Sequence, residues 1–412
     1  MFAHLQLVMR LPEYRKYFAA ALLAAIGSGM YFVAVSWYLF KTSGSTLAIG
    51  WSFIATTLPG LLLSPVVGVL VDRWKSRHIC AAADVARAAI LCAMALGMAT
   101  GSLQPWHIYV ASFFIALGDN FFQPAAGALV RDLVAKENLL PANIVGSMAI
   151  QVGLLLGASA GGFAVAAFGT ETVVGLNAAT FVASAVLLMW VRYMPASATA
   201  TVPHVAGEGV LAQFRRAVQE TPARSFLAVM VVQQLLAYLT VFMCNTLLPG
   251  FVVRELKAGA EGFGLIDAGW GLGALGGGLL LGALLKRGGA LRVGAVCLVA
   301  LGLSLAAFSA AQSVGHAAAV YAVLGGLGVM LRINGDTEIA RHVAPAHFGK
   351  IKSGVVMLVS WASLVVYGLA GYLGDAVSAR HLYLGMAALT LGCGVLMLMR
   401  RRTEPTAQPA LS

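Results

Sequence analysis

Charge is scarce in this chain of 412 residues: Lys and Arg number 27, Asp and Glu 16, together 10%. A globular domain in water carries roughly 25% charged residues. A chain this poor in charge, with 60% hydrophobic residues, cannot cover a water-facing surface, whereas in a bilayer the same surface meets hydrocarbon. Histidine is also sparse and scattered, at eight residues. No HExxH and no phosphate-cradling P-loop occurs. Those absences argue against a nucleotide-driven pump and a zinc-dependent intramembrane hydrolase. No metal site and no cofactor is expected. The five cysteines, Cys80, Cys92, Cys244, Cys297 and Cys393, lie singly in apolar runs without a CxxC pair. They read as small buried apolar residues rather than a disulfide or zinc framework. No cleavable leader is expected: Met1 to Lys16 is polar and basic, and the apolar run behind it is long enough to span.

What the chain does contain is long apolar runs. A spanning helix needs roughly 20 mostly apolar residues. Runs of that kind fall at 17–40, 46–71, 79–100, 106–130, 142–168, 172–191, 225–252, 262–285, 291–311, 316–338, 353–374 and 380–399. The Gly-rich stretch at 165–175 is the weakest division among them. The formal charge of +11 is distributed between these runs, so it reads as topology and not as a nucleic-acid surface. With both termini inside, the inward segments hold the basic clusters Arg10–Arg15–Lys16, Arg73–Lys75–Arg77, Arg215–Arg216–Arg224 and Arg400–Arg402. The outward loops hold only Lys41, Arg254, Lys257 and Arg380. That asymmetry predicts an even number of spans with cytoplasmic termini in a bacterial inner membrane.

The fold class expected is therefore an all-α polytopic membrane protein, with twelve transmembrane helices in two pseudo-symmetric six-helix bundles. Residues 1–192 form the first bundle and 224–400 the second, with a tail at 401–412. Between the bundles, 193–223 carries Pro195, Pro203 and Pro222 and an amphipathic stretch from Glu208 to Glu220. It reads as a cytoplasmic linker lying on the membrane surface. Sliding the chain on itself by 210 positions puts Leu117-Gly118 on Leu327-Gly328, Arg131 on Arg341, Ala160-Gly161 on Ala370-Gly371 and Leu188-Met189 on Leu398-Met399. Parallel halves of this kind are a known transporter architecture, with a substrate site near the midplane.

After the second run the chain reads Gly68-Val-Leu-Val-Asp72-Arg73-Trp74-Lys75-Ser76-Arg77. An acid at a helix end followed by bases fits either a cytoplasmic turn that locks and releases or plain positive-inside anchoring. The stretch resembles the G-x-x-x-D-R-x-x-x-R signature of the major facilitator superfamily. That resemblance implies a conformational latch made by Gly68, Asp72, Arg73 and Arg77. The fifth run contains Gly153-Leu-Leu-Leu-Gly157-Ala158-Ser159-Ala160-Gly161-Gly162, similar to the exporter signature G-x-x-x-G-P-x-x-G-G with Ala158 in place of Pro. Small residues at this spacing form a face for close helix packing. The texture of the first half, including Leu11–Arg15 and Asp84–Arg87, resembles the branch that holds siderophore exporters and macrolide efflux pumps. The Arg that many drug exporters carry in span 4 is absent, since Phe113–Gly118 is apolar.

Charges within the runs need a reason, because each costs about 2.5–3.5 kcal/mol on insertion scales. Asp119, in Gly118-Asp119-Asn120, is the candidate proton-coupling group; the alternative is a structural carboxylate paired with a base. Asp84 and Arg87 lie one turn apart and can pair; near the cytoplasmic end of span 3 they read as a structural or latch-supporting pair among the gate or cavity charges. Arg332, Asp336 and Glu338 form a second set, read as a cytoplasmic gate or as cavity charges, with Arg332 and Asp336 able to share a face. An Arg open to a cavity would suit an anionic or catecholate-like ligand. Asp267 near the outer end of span 8 reads as solvated. The resemblance assigns cavity-lining spans, on which Tyr31, Trp37, Gln151, Gln233, Tyr238, Asn245, Trp361 and Tyr367 are candidates. Together these suggest an amphipathic substrate with aromatic or amide character.

The function expected is secondary active export of a small molecule, a siderophore or amphipathic drug-like metabolite, by proton-coupled alternating access. The expected partners are that substrate, protons and the lipid bilayer, with no nucleic acid, and the protein is expected to act as a monomer. An importer or a lysophospholipid or lipid flippase of the same fold is the alternative, with a non-transporting sensor or a membrane enzyme behind it.

Overall fold

A computed structural model describes residues 9–71, 74–192, 215–216, 219–221 and 224–399. Among them the chain forms twelve long helices and no strand. These are α1 (Pro12–Ser43), α2 (Thr46–Val71), α3 (Ser76–Ala99), α4 (Pro105–Leu133), α5 (Leu139–Phe168), α6 (Thr170–Met189), α7 (Arg224–Arg254), α8 (Ala260–Gly288), α9 (Ala290–Ser309), α10 (Val314–His342), α11 (Pro345–Ala376) and α12 (Ala379–Met399). All twelve contain a stretch long and apolar enough to cross a bilayer. Large apolar side chains such as Leu62, Leu279, Leu280 and Met399 stand fully outward on these helices. Water would penalise that surface and lipid does not.

Local chemistry sets the ends. Pro12 begins α1, where its missing N–H costs nothing, and Gly44 ends it with φ at 67°. The side chains of Gln104 and His107 cap the start of α4 reciprocally. The division at 165–175 falls at Gly169, whose φ of 83° breaks α5 from α6. A Cβ there would also meet the Glu171 carboxylate. Shifting α3, α4, α5 and α6 by 210 positions brings their last residues within two residues of the ends of α9, α10, α11 and α12.

The described residues within Met1–Val202 and Ala258–Ala268 form one compact unit, and those within Pro203–Lys257 and Gly269–Ser412 form a second. In the first, α1 packs most extensively on α5 and α3 on α6. The glycines of the exporter-like stretch make the α1–α5 contact. A Cβ on Gly153, Gly157 or Gly161 would collide with Ala25, Ile26 or Met30 of α1, and one on Gly162 with Gly264 at the start of α8. In the second unit α9 packs most extensively on α12. Gly269, Gly273 and Gly277 of α8 lie against the backbone of α10 at Ala318, Ala322 and Gly326. Without a hydrophobic drive between helices in lipid, such close backbone approach is what holds them together. The expected linker at 193–223 and its amphipathic stretch lie mostly outside the described residues, apart from helical turns at 215–216 and 219–220, and the tail at 401–412 lies wholly outside them.

Candidate functional site

In the first unit three charges meet between α3, α4 and α6. Arg87 donates one guanidinium nitrogen to Asp84 on its own helix and the other to Asp119 on α4. Ser184 of α6 donates to the second oxygen of Asp84 at 2.6 Å. The guanidinium lies 4.5 Å over the ring of Phe181 and 4.9 Å over that of Phe122. Its methylenes pass directly over Gly118, where a Cβ would sit 3.2 Å away. Asp84 is fully buried, while the side chain of Asp119 is 52% exposed. The cluster is therefore closed at one end and open at the other. Two acids and one base leave it with one net negative charge when all are ionised. Beside it, the Tyr31 hydroxyl lies 3.3 Å from Ser112 Oγ, which lies 3.1 Å from Ser52 Oγ. Trp37 is half-buried in the adjoining apolar cluster, and Gln151 is exposed.

At the end of this unit that bears the N-terminus, Arg77 donates to the carbonyl of Val191 at 2.8 Å and Lys16 to that of Trp190 at 3.0 Å. Both bases cap the exposed carbonyls that follow α6. Of the other expected latch residues, Gly68 lies in α2, and Asp72 and Arg73 fall outside the described residues.

In the second unit, Asp336 of α10 is bonded by Lys352 of α11 and by Gln234 Nε2 of α7 at 2.8 Å. Arg332, one turn earlier, lies 4.6 Å over the ring of Tyr238. Tyr238 stacks on Phe242 at 5.9 Å, and Phe242 meets Tyr367 at 5.2 Å. Glu338 is buried and bonded within its own helix by Arg341 at 3.0 Å and His342 at 3.3 Å. Gln233 points elsewhere: its amide lies against Met397 of α12 and over Gly294 of α9, where a Cβ would be 2.0 Å from its oxygen. Asn245 is half-buried and Trp361 stands outward. Asp267, in the part of α8 that belongs to the first unit, is half-buried in the third turn and makes no ion pair among the described residues. At the opposite end of the unit, Glu255 accepts from Ser378 at 2.6 Å and from Arg380 at 2.9 Å. The Ser378 hydroxyl first and Arg380 second hold its carboxyl below the ordinary glutamate range.

Sequence reasoning missed Ser184, Phe181, Phe122, Phe242 and Lys352 as parts of these clusters. Only Lys352 had a signal, as a base immediately before the run at 353–374. Among the described residues no His, Cys, Asp and Glu cluster could hold a metal ion.

Twelve spanning helices define a multi-pass membrane protein of the major facilitator type, and the family and relatives that it matches are transporters, not enzymes. The chain belongs to the transmembrane secretion effector family, which it matches over residues 8–408. It is similar to the multidrug efflux pump Tap of Mycolicibacterium fortuitum, at 28% identity over 280 residues covering 64% of each chain. It is also similar to the enterobactin exporter EntS of Salmonella choleraesuis, at 28% over 185 residues, 43% of this chain and 44% of that one. Macrolide efflux protein A of Streptococcus pyogenes matches at 28% over 121 residues, 29% of this chain and 30% of that one. The matched stretches thus span less than two-thirds of these relatives' own length. The fold is shared with the nucleoside transporter NupG, at a TM-score of 0.74 and 13% identity, covering 94% of this chain and 98% of that one.

Proposed function

We propose that this protein is a secondary active transporter that exports a small amphipathic molecule, a siderophore or drug-like metabolite, across the bacterial inner membrane. Both termini face the cytoplasm, the protein works as a monomer, and its six-helix halves alternate access under a proton gradient. The efflux functions of its relatives support the direction. The positive-inside bias of the loops supports the topology. Gly68, Asp72, Arg73 and Arg77 act as the conformational latch.

The observation that carries proton coupling is the half-open ion triplet. Asp119 is the accessible member, and Arg87 has a second acid behind it in Asp84. A proton on Asp119 removes the net charge of the cluster and releases its bond to Arg87, which stays held by Asp84. A group whose protonation changes both charge and inter-helix bonding can couple proton movement to helix movement. Asp336, Glu338 and their partners serve as the gate charges of the second half.

Mass spectrometry of spent medium from deletion and overproducing cells, in iron-poor and iron-rich growth, identifies the exported compound. Everted vesicles with an imposed pH gradient then test the coupling. Asp119→Asn is expected to abolish uphill transport of that compound while downhill exchange and thermal melting persist. Uphill accumulation by the variant would make Asp119 a structural carboxylate.

A further inference from the structure

Arg332 is an intramembrane cation with an aromatic neighbour and, among the described residues, no counter-ion. It lies ten residues before the end of α10, about 15 Å along the helix axis. At that depth an arginine needs an anion, a carbonyl or a water-filled space. The nearest acid in sequence, Asp336, is already taken by Lys352 and by Gln234. Among the described residues no carboxylate lies within ion-pair distance of Arg332. Its guanidinium instead rests over Tyr238, and the rings of Tyr238, Phe242 and Tyr367 continue as a wall from α7 to α11. Gln234 fixes the start of this wall, since its amide donates to the Arg332 carbonyl at 3.3 Å as well as to Asp336.

We infer that this face of the second unit is an anion subsite, and that the transported molecule carries an acidic group beside an aromatic ring. A guanidinium stacked on a ring keeps its N–H edge free. That edge matches the two oxygens of a carboxylate, or the oxygens of a sulfonate or a deprotonated catechol. The ligand ring stacks on the aromatic wall, offset or edge-on. A cationic substrate would bring a second uncompensated positive charge next to Arg332, so the same geometry disfavours it. The inference rests on the transporter reading but does not require proton coupling or an export direction.

Binding tests it separately from transport. The purified full chain in nanodiscs of neutral lipid is titrated calorimetrically with 2-naphthoate and with the uncharged 2-naphthamide. The acid is expected to bind about tenfold more tightly, a difference suited to one charge-assisted contact. Arg332→Gln removes that preference and leaves naphthamide binding within about twofold. Arg332→Lys keeps part of it, because the charge remains while the planar fork is lost; it also supplies a second readout should the glutamine variant not fold. Equal binding of the two probes, binding of neither, or an undiminished preference in both variants would overturn the subsite. Anion preference in this titration and uphill transport in Asp119→Asn vesicles are read by separate assays on separate variants, so either reading can fail while the other stands.

Discussion

The two halves of the chain align in register at a shift of 210 positions and differ in where they put their charge. Shifting by 210 positions carries Asp84, Arg87, Asp119 and Ser184 onto Gly294, Cys297, Val329 and Gly394. Where the first half buries an ion triplet between α3, α4 and α6, the second half packs small residues between α9, α10 and α12. Cys297 faces Met330 there, Gly294 makes room for the Gln233 amide, and Gly394 lies against Val299. The same shift carries Phe122, the ring beneath Arg87, onto Arg332. The second half therefore holds its cation on α10 itself and stacks it on Tyr238 of α7. Matching helix lengths and glycine contacts maintain two similar bundles. A handful of substitutions then give one half a self-contained charge cluster and the other an arginine with no acid beside it among the described residues.

The largest effect should come from Arg87→Met. It leaves Asp84 buried without its cation, and breaking a buried pair costs about 3–5 kcal/mol. The corresponding Cys297→Ala removes only a small apolar contact and should cost about 1–2 kcal/mol. Thermal melting of the two variants in detergent measures both, and equal losses would erase the contrast between the halves. Asp84→Asn in the Arg87→Met background should recover part of the loss.

A smaller effect should separate glycines by what they face. Gly157→Ala places a Cβ 2.0 Å from the Ile26 carbonyl, forcing α1 and α5 apart at about 1–3 kcal/mol. Gly385→Ala in α12 meets nothing within 4 Å and should stabilise by about 0.5–1 kcal/mol through helix propensity. Melting shifts of the same sign in both variants would show that close packing is not what Gly157 provides.

The smallest effect concerns Glu255. Its carboxyl is held below the ordinary range, so its contribution is complete above that range and fades as pH falls through the lowered value. The bridge is partly exposed, so the contribution is about 1 kcal/mol or less. The melting temperature should drop more steeply below about pH 4 in the native chain than in Glu255→Gln. Parallel curves would assign the acid sensitivity to other carboxylates.

Helix-scale features were legible because they are local. The apolar runs gave twelve spans, and α1 and α11 differ mainly in starting earlier, at Pro12 and Pro345. A proline at the first helical position starts a helix without needing an apolar residue there. The Asp84–Arg87 pair was legible because one turn of helix brings the two residues together. The Arg332–Asp336 spacing promised the same, but Lys352 arrives from α11 and takes the acid. Tyr238 and Tyr367 were visible as cavity candidates, whereas Phe242 between them reads in sequence as one more apolar residue.

By itself the sequence determined the membrane as solvent, the number of spans, the repeat and the list of charges that had to find partners. Hydrocarbon admits only helices or closed barrels, apolar runs of about 20 residues select helices, and helical periodicity settles neighbours three or four residues apart. Only the tertiary structure decided that Asp119 shares Arg87 with Asp84, that Ser184 completes the triplet, that Gln233 turns toward α9 and α12, and that Arg332 faces an aromatic wall. Those pairings depend on the rotation of each helix about its axis. That rotation is set by where glycines let backbones touch, and contacts across more than one helix leave no periodic trace in the chain.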